Sequence, residues 1–340
     1  MKPTVHDIAA HAGVSLATVD RVLNRRPGVK EATRAKVEAT IDTLGYVRDV
    51  AAANLAKSRI YPLIFILPDN DNSFMRNLHA EVQEAINRSA TERTQIQIVA
   101  IKAFDAVALV EALDRAREKE PAGVAFVAIE APEVVAAALR LRAAGIPVVT
   151  LVSDLSDARD HYAGIDNIAA GRTAASLLGR FVGVRAGPVA VLAGSMLVRD
   201  HKERLEGFKQ VMESDFPHLP VMPVLEGRDE PDRAEELVTA AIAAHPYIRG
   251  IYSAGAGNRG LMRALKTRTD SARLAVIAHE LTETTRRALI EGTIDAVLHQ
   301  DAGHEVRSAV RVLKAKADGL PVIAAQERIR LDIFLRDNMP

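Results

Sequence analysis

The sequence predicts a small all-α head followed by an α/β body of two doubly wound parallel-sheet subdomains. Three observations lead there. The first 45 residues carry apolar side chains at helical spacing in three short stretches, each with its own start or stop signal. Beyond residue 60, short apolar β-branched runs alternate with amphipathic helical stretches, as in parallel sheets covered on both faces. Those runs amount to roughly ten strands, too many for one comfortable sheet, so two subdomains are expected.

The head opens with Thr4 and Asp7, spaced as in a capping box, at the start of a helix ending near Ala12. Gly13 stands where the chain must turn sharply, which a residue without Cβ does at least strain. Ser15 then caps a second helix to about Leu23. Ile8, Ala9, Val14, Val19 and Val22 pack the two helices together, leaving Ser15, Leu16, Ala17, Thr18 and Arg21 on the outer face. Such a helix-turn-helix presents its second helix to the major groove of DNA. An ordinary αα-hairpin has the same local pattern, and these residues alone leave both readings open. A third helix over 31–44, with Val37, Ile41 and Leu44 inward and Gly45 as its stop, narrows the choice. Tyr46 and the short segment DVAAANLAKSR then lead to the apolar run at 61–67.

In the body, strands are expected at 62–67, 96–101, 123–129, 147–151, 188–193, 221–225, 250–253, 274–278 and 295–299. Helices are expected at 74–90, 107–119, 169–182, 201–213, 232–244 and 284–291. Open α/β sheets bind ligands at the carboxyl ends of their strands. That rule nominates PDNDNSF after the first strand, Glu130, Ser153 with Asp154, the segment up to Arg204, residues 255–258, His279 with Glu280, and Gln300 with Asp301. These side chains donate and accept, as a polyhydroxylated ligand requires, and Phe74 offers an apolar face.

Composition excludes several classes. The chain has 340 residues, no cysteine, and 44 basic against 44 acidic side chains. Without cysteine there is no disulfide framework, thiolate site or cysteine nucleophile. Residues 1–60 hold ten Lys/Arg against six Asp/Glu, a charge of +4, so the remainder carries −4. A basic head on a slightly acidic body suits a nucleic-acid-reading module joined to a sensor. The start lacks the apolar core of a signal peptide and no apolar run is long enough for a membrane span, so a soluble cytoplasmic protein is expected. Catalytic signals are poor: Gly194-Ser195 lacks the nucleophile elbow, there is no HExxH or P-loop, and His299 with His304 is badly spaced for a metal. Residues 255–260, GAGNRG, do match GxGxxG after a strand, with Glu280 following twenty residues later. A dinucleotide domain usually opens with that motif and needs further βα units after it. A tight turn lining a ligand cleft is therefore preferred, with a NAD-dependent oxidoreductase as the alternative. No cofactor or metal is expected.

The segments DIAAHAGVSLATVDRVLN, VKEATRAKVEATIDTLGY and AAANLAKS resemble the lac-repressor (LacI/GalR) family of bacterial transcription regulators, over essentially the whole chain. The resemblance implies a head at 1–48, a hinge at 49–60, and an effector-binding and dimerisation domain at 61–340 with the periplasmic binding protein-like fold. Its N-subdomain would span about 61–165 and 300–325, its C-subdomain about 166–299 and 326–340. It implies a homodimeric repressor on a pseudo-palindromic double-stranded operator, and a sugar or sugar derivative as effector between the lobes. A transport binding protein shares that body but should carry a signal peptide and no helix-turn-helix. The chain leaves no room after LDIFLRDNMP for the heptads that join dimers into tetramers, so a dimer is expected. DNA-binding residues implied are Thr4, Ser15, Leu16, Ala17, Thr18, Arg21, Asn24, Thr33, Asn54 and Leu55, with Leu55 wedged into the minor groove. Effector residues implied are Asn72, Phe74, Arg204, Asn258 and Gln300, with Glu280 where the family usually has Asp and a shifted Asp154; Glu130 joins the set from its strand-end position alone. Asp20 departs from the small residue usual in the family, and near phosphates it needs a partner such as Arg21 or a cytosine amino group.

Overall fold

The computed structural model describes residues 3–24, 26–46, 59–69, 72–255, 257–266 and 273–340. Asn54 and Leu55 of the expected hinge, and Asn70 and Asp71 after the first strand, lie outside the described residues. Contacts divide the chain between Arg59 and Ile60 into a head and a body.

The head consists of helices α1 (Val5–Ala12), α2 (Leu16–Leu23) and α3 (Glu31–Leu44). Its capping box forms as the spacing suggests. Thr4 Oγ1 accepts from the Asp7 backbone N–H at 3.3 Å, and the Asp7 carboxylate accepts from the Thr4 N–H at 2.8 Å. Gly13 takes φ 62°, in the left-handed region, and ends α1. Ile8, Ala9, Ala12, Val19, Val22 and Val37 make the head's core.

The first body sheet contains β1 (Tyr61–Asp69), β2 (Thr94–Lys102), β3 (Gly123–Val127), β4 (Val148–Leu151) and β5 (His161–Ala163) in the order β2-β1-β3-β4-β5. All its pairings are parallel. Period-two alternation along β1 sorts its side chains. Leu63, Phe65 and Leu67 pack with Leu78 and Val82 of α4 (Ser73–Asn87) and Val306 and Leu313 of α13 (Ala302–Ala317). Ile64 and Ile66 point the other way, onto Leu109 and Leu113 of α6 (Ala106–Glu118) and Val134 and Leu141 of α7 (Pro132–Ala143). The short α5 (Ser89–Glu92) continues after α4, where one helix over 74–90 was expected.

The second sheet has the order β11-β10-β9-β8-β6-β7, from β6 (Val189–Ala193), β7 (Leu225–Glu226), β8 (Gly250–Ser253), β9 (Ala275–His279), β10 (Ala296–Gln300) and β11 (Leu331–Phe334). Only β11, against β10, is antiparallel among these pairings. Helices α8 (Asn167–Val182) and α9 (Arg199–Asp215) cover one face through Leu178, Phe208 and Met212. The other face takes Val238 of α10 (Pro231–Ala244), Leu261 of α11 (Asn258–Lys266) and Leu289 of α12 (Glu283–Ile290). The chain leaves the first sheet after β5, returns to it with α13 after β10, and ends on the second sheet in β11. The strand expected at 221–225 shrinks to β7 plus an isolated bridge from Val221 to Val189. Pro220 and Pro223 explain this, since neither has an N–H to donate to a ladder. Two further strands, β5 and β11, were not expected: each is three or four residues long and not continuously apolar. Among the described residues no helix is long and apolar enough to cross a membrane.

Candidate functional site

On α2, Ser15 caps the helix by accepting from the Thr18 N–H at 3.2 Å, and Leu16, Ala17 and Arg21 are exposed beside it. Thr18 and Thr33 are half-buried, Thr33 in the first turn of α3. Asp20 does not pair with Arg21. Its carboxylate accepts from Asn24 Nδ2 at 2.7 Å and from Arg26 Nη1 at 3.2 Å, and Asn24 Nδ2 also donates to the Asp20 carbonyl at 2.8 Å. Thr4 is likewise engaged, in its capping box.

Between the body's two lobes lies a cleft enclosing about 1060 Å³ including its open mouth, a size for a small molecule rather than a polymer. Asn72, Phe74, Arg204, Asn258, Glu280 and Gln300 all line it. Arg204 is placed by a backbone-to-backbone helix crossing: a Cβ on Gly171 of α8 would lie 2.0 Å from the Arg204 carbonyl oxygen, and one on Gly207 of α9 would lie 2.1 Å from that of Ile168. Arg204 is 2% exposed, and its guanidinium donates from Nε to Asn167 Oδ1 and from Nη1 to the Ala254 carbonyl, both at 2.8 Å, and keeps Nη2 unpaired. Asn72 caps α4 through Oδ1, accepting from the Phe74 N–H at 2.9 Å. Its Nδ2 donates across the cleft to Asp229 Oδ2 at 2.8 Å. Glu280 sits at φ 70°, unusual for a residue with a side chain, and accepts from Gln300 Nε2 at 2.9 Å. Its other oxygen lies 3.1 Å from His299 Nδ1. Burial opposes charge on His299, but the hydrogen bond and charge of Glu280 outweigh it and raise the imidazole above its ordinary value.

Among the nominated residues, Glu130, Asp154, His279 and Asp301 do not line the cleft; His279 is buried against Tyr252 and Asp301 caps α13. Glu130 is exposed and receives Lys202 Nζ at 2.6 Å, a bridge from the first lobe to the second. Asp154 is buried but turned to Arg159, which donates from both Nε and Nη2, and to Thr150 Oγ1 at 2.9 Å. Burial pushes its carboxyl up, and the Arg159 hydrogen bonds more than offset that and hold it below the usual range. Strand-end position was right for both, yet each charge is already neutralised by a protein partner.

The cleft also contains Asp200 and His201, inside the nominated segment up to Arg204 but not named singly, and Asp229, which was not nominated. Burial raises the Asp229 carboxyl above its ordinary value. Asp229 stands three residues beyond the end of β7, within reach of the strand-end rule from the strand expected at 221–225. In GAGNRG, packing accounts for the outer glycines. A Cβ on Gly260 would meet the Pro231 carbonyl oxygen at 2.0 Å, and one on Gly255 would meet His201 Nε2 at 2.4 Å. Among the described residues no group of three or more His, Asp and Glu is placed to hold a metal ion.

Residues 4–49 match the family described as bacterial regulatory proteins, lacI family, and residues 63–321 match the periplasmic binding protein domain. The chain is 27% identical over 214 residues to the HTH-type transcriptional regulator DegA of Bacillus subtilis, covering 63% of this chain and 61% of DegA. It is 42% identical over 91 residues to catabolite control protein A of Priestia megaterium, covering 27% of this chain and 26% of that protein. It thus spans less than two thirds of the length of these curated relatives. The fold is that of GanP, a glucose-galactose binding protein from Geobacillus stearothermophilus, with a TM-score of 0.74 at 18% identity, over 83% of this chain and 99% of that one. The chain belongs over residues 63–321 to the periplasmic binding protein domain family, and its head carries the DNA-binding domain of the lacI family of bacterial regulatory proteins.

Proposed function

We propose that the chain is a cytoplasmic, sequence-specific DNA-binding transcription regulator, a homodimeric repressor whose operator affinity is set by a small polar effector held between the two lobes. The observation that carries this reading is the presence in one chain of a lacI head with an exposed α2 face and of an interlobe cleft walled by buried polar atoms without partners. Such atoms cost free energy unless a ligand or water meets them, so the cleft is suited to a hydrogen-bonding molecule. The named sugar binder of the same fold supports a sugar or sugar derivative as that molecule. Leu16 and Ala17 suit thymine methyls, and Arg21 suits a guanine edge or a phosphate.

The test begins with selection of bound sites from random double-stranded DNA. A recovered pseudo-palindrome is the expected result. Arg21→Ala should then cost roughly 1–3 kcal/mol of affinity for that site if the guanidinium is bidentate to guanine. Monosaccharides that raise the melting temperature are next added to the operator complex. Ligand binding that leaves operator affinity unchanged would sink the regulator mechanism.

A further inference from the structure

The cleft presents a set of donors and acceptors that the protein fixes through its own hydrogen bonds. Gln300 is 1% exposed, and its Nε2 donates to Glu280 Oε1 at 2.9 Å. That leaves its amide oxygen, buried and unpaired, on the cleft wall. Asn258 repeats the arrangement: it is 9% exposed, Nδ2 donates to the His279 carbonyl at 2.9 Å, and Oδ1 has no partner. Neither amide can flip without setting its oxygen against a carboxylate or another carbonyl. The same wall carries Arg204 Nη2 as a buried unpaired donor and Ser153 Oγ, which donates or accepts. Glu280 is itself held by the protein, since one oxygen takes Gln300 and the other faces His299.

We infer that the cleft takes an uncharged, hydroxyl-rich molecule, rejects the carboxylated and phosphorylated forms of that molecule, and owes this choice to Glu280, a positioning residue that locks the Gln300 amide. The inference rests on the effector-cleft reading above. A hydroxyl donates to Gln300 Oε1 or Asn258 Oδ1 while accepting from Arg204, so a polyol satisfies every fixed group. A carboxylate or phosphate only accepts. Where it replaces a hydroxyl opposite either amide oxygen it turns lone pairs toward that oxygen, and it adds negative charge beside Asp200, Asp229 and Glu280 on the lining. Lys102 and Arg259 line the cleft at more open positions, where solvent weakens their compensation.

Isothermal titration of the full chain separates the outcomes. Glucose, galactose, ribose, arabinose and xylose serve as neutral probes, and glucose phosphate, ribose phosphate, glucuronate and galacturonate as their anionic counterparts. At least one neutral sugar should bind, with its anionic counterpart weaker by about tenfold to a hundredfold. An anionic probe that binds as tightly as its neutral counterpart overturns the inference while leaving the effector cleft intact. Binding by no probe removes the effector-cleft reading and this inference together. In Glu280→Gln the new amide can donate as well as accept, which frees Gln300 to turn, and the neutral-to-anionic affinity ratio should fall by about tenfold. Glu280→Asp keeps a carboxylate and should restore part of it. A role that is merely structural lowers affinity for all probes alike, and an unchanged ratio overturns the assignment of Glu280. The wild-type ratio alone decides the ligand class if the variants do not fold.

Discussion

At the scale of single residues, the deciding fact is which charges are already satisfied. Asp20 accepts from Asn24 and Arg26 at the end of the exposed helix of the head, with half of each charged side chain open to solvent. Asp20→Ser should release Arg26 for a phosphate, while Asn24 keeps its bond to the backbone carbonyl of residue 20. DNA affinity should rise and the slope of log affinity against log salt should steepen by about one phosphate equivalent. An unchanged slope in a salt titration would show that Arg26 stays away from the backbone. His299 gives a pH prediction with a definite sign. Its raised value in the folded state means that the folded protein holds the proton more tightly than the unfolded chain. The stabilisation is full below the unfolded value of about 6.5 and is lost as pH rises through the higher folded value. Melting temperatures should therefore fall more from pH 6 to pH 8 in the wild type than in His299→Gln, and parallel curves would refute the pairing with Glu280. Residue pattern exposed Arg204, Gln300 and Asn258 as cleft groups but misjudged Glu130 and Asp154. The partner of Asp154 lies only five residues on, yet strand-end position says nothing about how a side chain turns. The partner of Glu130 is 72 residues away, and only the folded chain brings it near.

Among the elements, the two helices that carry Arg204 and Asn167 are held closer than side chains would allow. Gly171 and Gly207 each face a backbone carbonyl of the opposite helix, so a methyl group at either has no flexible neighbour to push aside. Gly207→Ala should cost roughly 1–3 kcal/mol in denaturant unfolding, through overpacking. It should also weaken effector binding, because α9 can relieve the clash only by shifting Arg204. Wild-type stability in that variant would mean that the helices separate freely. The head's helices and the long strands were legible in the sequence because caps and apolar period are local signals. Thr4 with Asp7 and the continuous apolar run from Leu63 to Leu67 are examples. The shorter strands were not. β5 and β11 gain their ladders from β4 and β10 rather than from an apolar run of their own, and β7 survives between prolines and a turn as two residues. Tertiary pairing decides such edge strands, and no local window records it.

For the molecule as a whole, the lobes of the body are joined across their cleft by contacts the chain makes unaided. Asn72 donates to Asp229, Arg199 Nη1 donates to Ser156 Oγ at 3.1 Å, and Lys202 meets Glu130 at 2.6 Å. The last pair is the easiest to reverse without touching the cleft wall, since both side chains are more than 40% exposed. Lys202→Glu places two carboxylates face to face at the rim and should bias the lobes apart. An exposed ion pair is worth up to about 1 kcal/mol, so effector affinity should fall by no more than about fivefold from losing the attraction, and somewhat further from the repulsion. Swapping the charges, Glu130→Lys with Lys202→Glu, restores an attractive pair and should return affinity close to the wild-type value. Salt distinguishes this from a local packing defect: high ionic strength screens the repulsion in the single variant and should narrow its difference from wild type. If closure and effector binding are coupled, the single variant must also need more effector to change operator affinity, because the ligand supplies only its preference for one lobe arrangement over the other. A single variant with wild-type effector affinity at low salt would show that the rim pair does not contribute to closure.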